Sequence, residues 1–348
     1  MGKVPAFGVE FRSAAQLPPD SDHWWDGVLG VAHFGAQPAG KAVARVPFVH
    51  VPMTPLQKPA CVYEVWHAGG SMRIGHFGAV HYRATEQLLF GCLSITEGAN
   101  ATLPGAAGGS PLERATTQAY AEIFSALEQL GYPHLVRIWN YVASINAAVE
   151  AGERYWQFNA ARQEVFLARH RAIVDTVPAA SALGTPTGNP LVIYFLASPT
   201  AMQTLENPRQ VSAFRYPTQY GPRSPTFSRA ALLAGTAGCP LLVSGTASIV
   251  GHETMHGDDV AAQTRETLAN IRALVGEANQ RVGQQQFSIE RLAYKVYVRN
   301  RADLPAVMTE VRAAVGEQAR IAFLQADVCR RDLLVEIEAV GSDRTAAH

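Results

Sequence analysis

The chain has 348 residues, 48% hydrophobic and 17% charged, enough for two compact domains or one large composite one. Lys plus Arg and Asp plus Glu each total 29, so the formal net charge is zero and no global field favours nucleic acid or an anionic membrane. Cys61, Cys92, Cys239 and Cys329 are far apart and form no C-x-x-C pair, which excludes a disulfide scaffold and fits a reducing compartment.

The opening MGKVPAFGVEFRS has no basic stretch followed by an apolar core, and no apolar run approaches the roughly 18 residues of a membrane span. The expectation is a cytoplasmic protein. Residues 1–80 mix short β-like pieces, AVARVPFVHVPM, ACVYEVWHA and MRIGHFGAVHYRA, with turn signals such as LPPDSD and AQPAG. This region is read as a β-rich extension that can also be taken as a degenerate structural unit. His23-Trp24-Trp25 reads as a packing or interface anchor.

From Leu88 onward the chain repeats itself. LLFGCLSITEG, from Leu88, and LLVSGTASIVG, from Leu241, each carry an apolar run and G-x-x-S-I, at Gly91/Ser94/Ile95 and Gly245/Ser248/Ile249. A helix-period segment follows each: one face holds Ala119, Ile123, Ala126, Leu127 and Leu130 in the first copy, and Val260, Thr264, Leu268, Ile271 and Val275 in the second. Asp258 and Asp259 suit the start of the second of these helices. Then come a strand (LVRIWNYVAS, LAYKVYVRN), a second helix (around NAARQEVFLARHR, DLPAVMTEVRAAVGEQ) and a closing strand (NPLVIYFLAS, RDLLVEIEAV). Two β-β-α-β-α-β copies about 150 residues apart predict two similar halves, an α+β fold of mixed sheets packed with helices. The predicted boundaries are 81–200 for the first unit, 201–230 for an Arg/Tyr/Pro loop and 231–348 for the second unit. EGANATLPGAAGGS, from Glu97, and ALGTPTGNP, from Ala182, read as linkers, since neither has a phosphate-cradling pattern.

Three stretches carry candidate chemistry. FRYPTQYGPRSPTFSRA, from Phe214, sets Arg215, Arg223 and Arg229 among Tyr216, Tyr220 and several prolines that restrict the backbone. It is either a solvated loop or a stiff cationic wall whose guanidinium forks suit a small substrate with more than one carboxylate. GERYWQFNAARQEVF, from Gly152, brings Tyr155, Asn159 and Arg162 to the approach of a helix. The last strand alternates so that Leu334, Glu336 and Glu338 share a face; the face is either solvated, or it buries carboxyls whose proton affinity rises toward the range useful for proton donation.

His252-Glu253-Thr254-Met255-His256 is a literal H-E-x-x-H, but Gly251 and Gly257 flank it and a strand-like run precedes it. The helical setting that would put both histidines on one zinc-binding face is missing, so no metal is expected.

These residues resemble a known family. Ser244-Gly245, the Q-T-x-x-x-L-x-N-I pattern from Gln263 to Ile271 and V-E-I-E-A at Val335–Ala339 are similar to the RidA/YjgF (chorismate mutase-like) fold. RYPTQYGPRSPTFSRA together with SGTASIVGHET resembles the chorismatases, which join degenerate RidA-like units in one polypeptide. The resemblance implies cleavage of the enolpyruvyl ether of chorismate, with pyruvate released and no metal or organic cofactor. It assigns the acid to Glu336, and it matches Cys329 and Gly245 to the branch that makes 3-hydroxybenzoate, some members of which also make the 4-hydroxy isomer. The other branch hydrolyses chorismate to a dihydroxycyclohexadiene acid. On this reading Arg162, Arg215 and Arg223 clamp the two carboxylates and Tyr155, Tyr216 and Tyr220 line the ring pocket, with no nucleic-acid or membrane partner. A RidA-like small-molecule binder using Arg320 with Glu336 is the alternative. RidA-like units assemble as trimers, which leaves both a monomer that imitates one and a homotrimer open.

Overall fold

The computed structural model describes residues 7–37, 45–98, 109–150, 152–233 and 239–342. The glycine-rich segment from Glu97 therefore lies mostly outside the described residues. Three mixed sheets organise the rest. The N-terminal sheet holds β1 (Phe7–Arg12), β2 (Val28–Gly35), β3 (Phe48–Val51) and β4 (Cys61–Ala68) in the order β1-β4-β2-β3.

The middle sheet is built from β5 (Arg73–Phe77), β6 (Val80–Ala84), β7 (Leu89–Ile95) and β8 (His134–Ala143), then, after the short hairpin of β9 (Ala148–Val149) and β10 (Gly152–Glu153), from β11 (Ala179–Thr185) and β12 (Leu191–Ser198). Their order is β11-β8-β12-β7-β6-β5. Helices α1 (Pro111–Leu130) and α2 (Arg154–Ala168) cover one face. The C-terminal sheet runs β13-β14-β15-β20-β18-β19, from β13 (Gln203–Leu205), β14 (Ala230–Leu232), β15 (Leu241–Ala247), β18 (Ala293–Val298), β19 (Arg320–Gln325) and β20 (Val335–Gly341). Between β15 and β18 lie a hairpin of β16 (Ile249–Val250) and β17 (Glu253–Thr254) and helix α3 (Val260–Val282); α4 (Leu304–Val315) precedes β19.

Strand for strand, the middle and C-terminal sheets match in order, and β8 runs parallel to β11 as β18 does to β19. The duplication is therefore real, and the N-terminal sheet extends it. β1, β2, β3 and β4 pair as β15, β18, β19 and β20 do, with β2 parallel to β3, so this region repeats the same four-strand pairing, with no α-helix among its described residues. Its outer face is closed by the turn that buries Trp25 against Val28, Val31 and Val65.

Local chemistry explains the helix limits. Ser110 and Glu113 form a reciprocal cap before Pro111, and Gly131, at φ 80°, ends α1 in the left-handed region. Asp259 caps α3 by accepting from the Ala262 amide. The inner faces of all three sheets meet in one core that includes Phe34, Trp66, Trp139, Tyr141, Tyr194 and Tyr297.

Two sequence expectations need correction. Residues from Ala182 to Thr185 belong to β11 rather than to a linker; their small side chains suit a strand pressed against the neighbouring sheet, where Ala180 N–H donates to Ser244 Oγ at 2.9 Å. The two G-x-x-S-I motifs are also out of step in the ladder. Gly91 pairs with Phe195 on β12, whereas an irregularity between Val243 and Thr246 throws Gly245 out of the corresponding pairing on β15. The repeat lies in the topology rather than in that motif.

Candidate active site

Glu336 lies between Ala247 on β15 and Tyr297 on β18 in the ladder, and is 4% exposed. The bulge on β15 places Gly245 against it. A Cβ built on Gly245 would fall on the Glu336 carboxyl oxygen and come within 3.1 Å of Ser181 Oγ, so glycine is what leaves room for this rotamer. Burial, reinforced by the Glu338 carboxylate two residues along, pushes the Glu336 pKa up to about 8 against the pull of Arg137, Arg299 and Arg229. The carboxyl is mostly protonated at neutral pH.

A cavity of about 260 Å³ opens over this carboxyl where the middle and C-terminal units meet. Gly245, Glu336, Cys329, Tyr155, Tyr216 and Tyr220, all singled out in the sequence, line it, with Phe227, Arg229 and Arg330. A recess of about 30 Å³ shares Glu336, Cys329 and Tyr155 with the cavity and reaches Arg162 and Ser181. Burial, then the proximity of Glu336, pushes the Cys329 thiol up to about 12, so it stays a neutral thiol. Burial likewise raises the Tyr155 phenol, which remains a hydrogen-bond donor.

The arginines sort differently from the sequence expectation. Arg162, on α2, is buried, donates from Nη2 to the Thr226 carbonyl at 2.7 Å and stands at the recess. Arg215 and Arg223 do not line the cavity. Both are exposed on the crest of the loop, and Arg215 lies 3.6 Å from Asp175. Arg229 takes the inward place, because it leads directly into the buried strand β14; its guanidinium donates to the Tyr216 hydroxyl at 2.7 Å.

Arg330, which sequence reasoning missed, stacks 3.7 Å from the Tyr220 ring centre and donates to the His252 carbonyl at 2.9 Å. Buried N–H groups of all three, Arg162 Nε, Arg229 Nε and Arg330 Nη2, have no acceptor among the described residues. Three unanswered guanidinium donors around a protonated carboxyl make a site for an anion that receives a proton. The available signals were an arginine abutting an apolar strand, for Arg229, and the cationic pair next to Cys329, for Arg330.

The H-E-x-x-H segment forms the β16–β17 hairpin, with Gly251 at φ 59° in its turn. His252 Nδ1 meets the Tyr220 hydroxyl at 3.3 Å, while His256 approaches Glu266. The helical face that the motif requires is not formed. Arg320 sits on β19 opposite Ala293, four residues along β18 from the Tyr297 that opposes Glu336, and donates to the Val9 carbonyl of the N-terminal sheet at 3.2 Å.

A family model described as chorismatase FkbO/Hyg5-like, N-terminal, matches residues 64–197. A chorismatase of Streptomyces rapamycinicus is 40% identical over 288 residues, spanning 80% of this chain and 81% of that protein. The chain belongs to the chorismatase family. Within that family, a 3-hydroxybenzoate synthase of Streptomyces hygroscopicus is 40% identical over 237 residues, 65% of this chain and 68% of its own length. A crystal structure of a chorismatase superposes with a TM-score of 0.84 over 98% of this chain and 100% of its own, at 32% identity. No helix among the described residues is long and apolar enough to cross a membrane.

Proposed function

We propose that this chorismatase cleaves the enolpyruvyl ether of chorismate to pyruvate and 3-hydroxybenzoate, with Glu336 as general acid. The observation that carries this reading is a buried carboxyl with its pKa pushed up to about 8, set below a cavity edged by arginine donors. Chorismate brings two carboxylates. Arg229 and Arg330 at the cavity and Arg162 at the recess supply forks for them, and Tyr155, Tyr216 and Tyr220 pack the ring.

The enol-ether methylene is a weak base, so a donor must hold its proton until the substrate is in place. Glu336 transfers that proton to the methylene carbon, giving an oxocarbenium-like side chain. The C3–O bond then breaks with its electrons going to the departing oxygen, and pyruvate leaves. The C4 hydroxyl oxygen bonds to C3 as the ether departs, and its proton returns to the Glu336 carboxylate. The resulting arene-oxide-like ring opens at the C4–O bond and loses the C3 proton to give 3-hydroxybenzoate. Cys329, a neutral thiol beside Glu336, is placed to influence that opening.

Incubation with chorismate, a coupled pyruvate assay and chromatography of the ring product test the reading. Equimolar pyruvate and 3-hydroxybenzoate are expected. Cys329→Ala should still release pyruvate while the 3-hydroxy fraction drops in favour of 4-hydroxybenzoate or a dihydroxycyclohexadiene acid. No pyruvate from the unaltered protein ends the reading, and an unchanged product from Cys329→Ala removes the thiol from it.

A further inference from the structure

Glu338 takes no direct part in the chemistry above, yet it is among the most heavily bonded side chains near the site. It is 3% exposed and points to the same face of β20 as Glu336. Its Oε1 accepts from Lys295 Nζ at 2.6 Å, Trp139 Nε1 at 2.8 Å and the Tyr297 hydroxyl at 3.1 Å. Its Oε2 accepts from Arg137 Nη2 at 2.7 Å and Ser181 Oγ at 2.6 Å. These donors come from β8, β11 and β18, so the carboxylate ties the middle sheet to its own.

Lys295 reaches Glu64 of β4 at 3.0 Å, so two cations and two carboxyl groups meet at the junction of the three sheets, where burial raises the proton affinity of Glu64. Burial favours the neutral form of Glu338, but Lys295 and Arg137 outweigh it and hold the carboxyl below its ordinary range. The link to the site is short. Ser181 Oγ, while donating to Glu338, accepts from the Gly245 N–H at 3.0 Å, and Gly245 is the residue against which the Glu336 carboxyl rests.

We propose that Glu338 is a positioning residue for Glu336: a fixed buried carboxylate whose charge keeps the proton on its neighbour, and whose bond to Ser181 holds the Gly245 backbone in place. This rests on the reading of Glu336 as the acid. The need for such a residue follows from the charges around the site. Arg137 from β8, Arg162 from α2, Arg229 ahead of β14, Arg299 after β18 and Arg330 after β19 surround Glu336, and the guanidinium groups that suit a dianionic substrate would strip the proton from an isolated carboxyl. Tyr155 and Cys329, which face it, are neutral, Tyr297 opposes it from β18, and Glu153, Asp332, Tyr216 and Tyr220 line the same cavity. Glu338 is faced by Lys295 and Tyr297 from β18, Arg137 and Tyr141 from β8, Tyr194 from β12 and Glu64 from β4. Held in place by Lys295 and Arg137, the Glu338 carboxylate is an anion that opposes the pull of the guanidinium groups on Glu336.

The test is the pH profile of pyruvate release. Glu336 must be protonated to act, so the rate falls as pH rises through its pKa. Glu338→Gln removes the anion, leaving Arg137 without its carboxylate and Lys295 with Glu64 alone, so the alkaline limb should move down by about one pH unit, costing about tenfold more rate on that side than on the acidic plateau. Glu338→Asp, which keeps the charge, should restore the limb. A limb that stays in place while the whole profile sinks overturns the proposal and leaves Glu338 as an ion pair holding sheets together. Should Glu338→Gln fail to fold, NMR titration of carboxyl-labelled glutamate in the unaltered protein decides. A signal lost in Glu336→Gln must titrate near neutral or above while Glu338 stays ionised, and uptake of the proton by Glu338 first overturns the proposal. A fully active Glu336→Gln would instead sink the acid reading, a separate outcome.

Discussion

Two clefts of this molecule are built by the same strands in the same way, and only one holds an acid. Where the middle unit meets the C-terminal unit, β11 faces β15 and β20. Where the C-terminal unit meets the N-terminal one, β19 faces β1 and β4, across a hollow of about 140 Å³ lined by Phe11, Arg12, Val62 and Phe323. The ladders give the equivalences: Tyr297 opposes Glu336, Tyr141 opposes Val192, and Phe34 opposes Val62. Phe34, Tyr141 and Tyr297 occupy one shared core. Valine therefore stands in two copies where the third has Glu336, whereas two residues on the copies read Glu338, Tyr194 and Glu64, all polar and all in the central network. The shared fold makes the cleft; a carboxyl, a bulged glycine, two helices and an arginine-bearing loop set apart the one proposed as the reaction site.

The strongest way to break this comparison is to move the acid. Glu336→Gln keeps the shape and should lower pyruvate release by about 10³, within the range for a positioned general acid. Val62→Glu adds a carboxyl to the related hollow and should neither rescue that variant nor alter the parent rate by more than about twofold. Rescue would show that the hollow itself is competent.

The arginines give the next contrast. Arg229→Ala and Arg330→Ala should each cost about 3 kcal/mol in kcat/KM, the scale for leaving a buried charge unpaired, while Arg215→Ala and Arg223→Ala on the exposed crest should stay close to the parent. Equal losses at all four positions would mean that the loop closes over substrate and carries its crest inward.

Stability should report the acid as well. From the ordinary value of 4.5 to about 8, the unfolded chain ionises this group and the native state does not. The native state binds more protons in that window, so its stability falls as pH rises through it. Glu336→Gln should then be more stable than the parent at pH 8, by about 4 kcal/mol, and unfold at higher temperature, with the gain vanishing near pH 4. Thermal melts at both pH values check this, and an equal shift at both would assign the effect to packing.

The smallest effect concerns Gly245. Gly245→Ala drives a methyl into the space of the Glu336 carboxyl, and such overpacking costs about 1–3 kcal/mol of stability when neighbours must shift. The carboxyl should rotate away, so the product ratio should change more than total pyruvate. An unchanged ratio would show that the carboxyl has room to spare.

What the sequence determined by itself is what periodicity and local chemistry encode. The apolar faces of α1 and α3, the Asp259 cap, and the succession of helices and strands along both units were legible because each depends on residues within a few turns of one another. Glu336, Cys329 and Gly245 were legible as members of a resembling motif, although alternation alone left the glutamate face either wet or buried. Tertiary structure decided the rest. It buried that face by setting β11 and α2 against β20, and it turned Arg229 inward while leaving Arg215 and Arg223 in solvent, which proline spacing cannot encode. It gave the N-terminal sheet the same strand pairing as the C-terminal one, a likeness that no motif in its sequence carries. It also joined Glu64, Lys295, Arg137 and Glu338 from three units. Each of these outcomes depends on segments far apart in the chain, and burial, which sets both the direction of an arginine and the proton affinity of a glutamate, is a property of the packed whole.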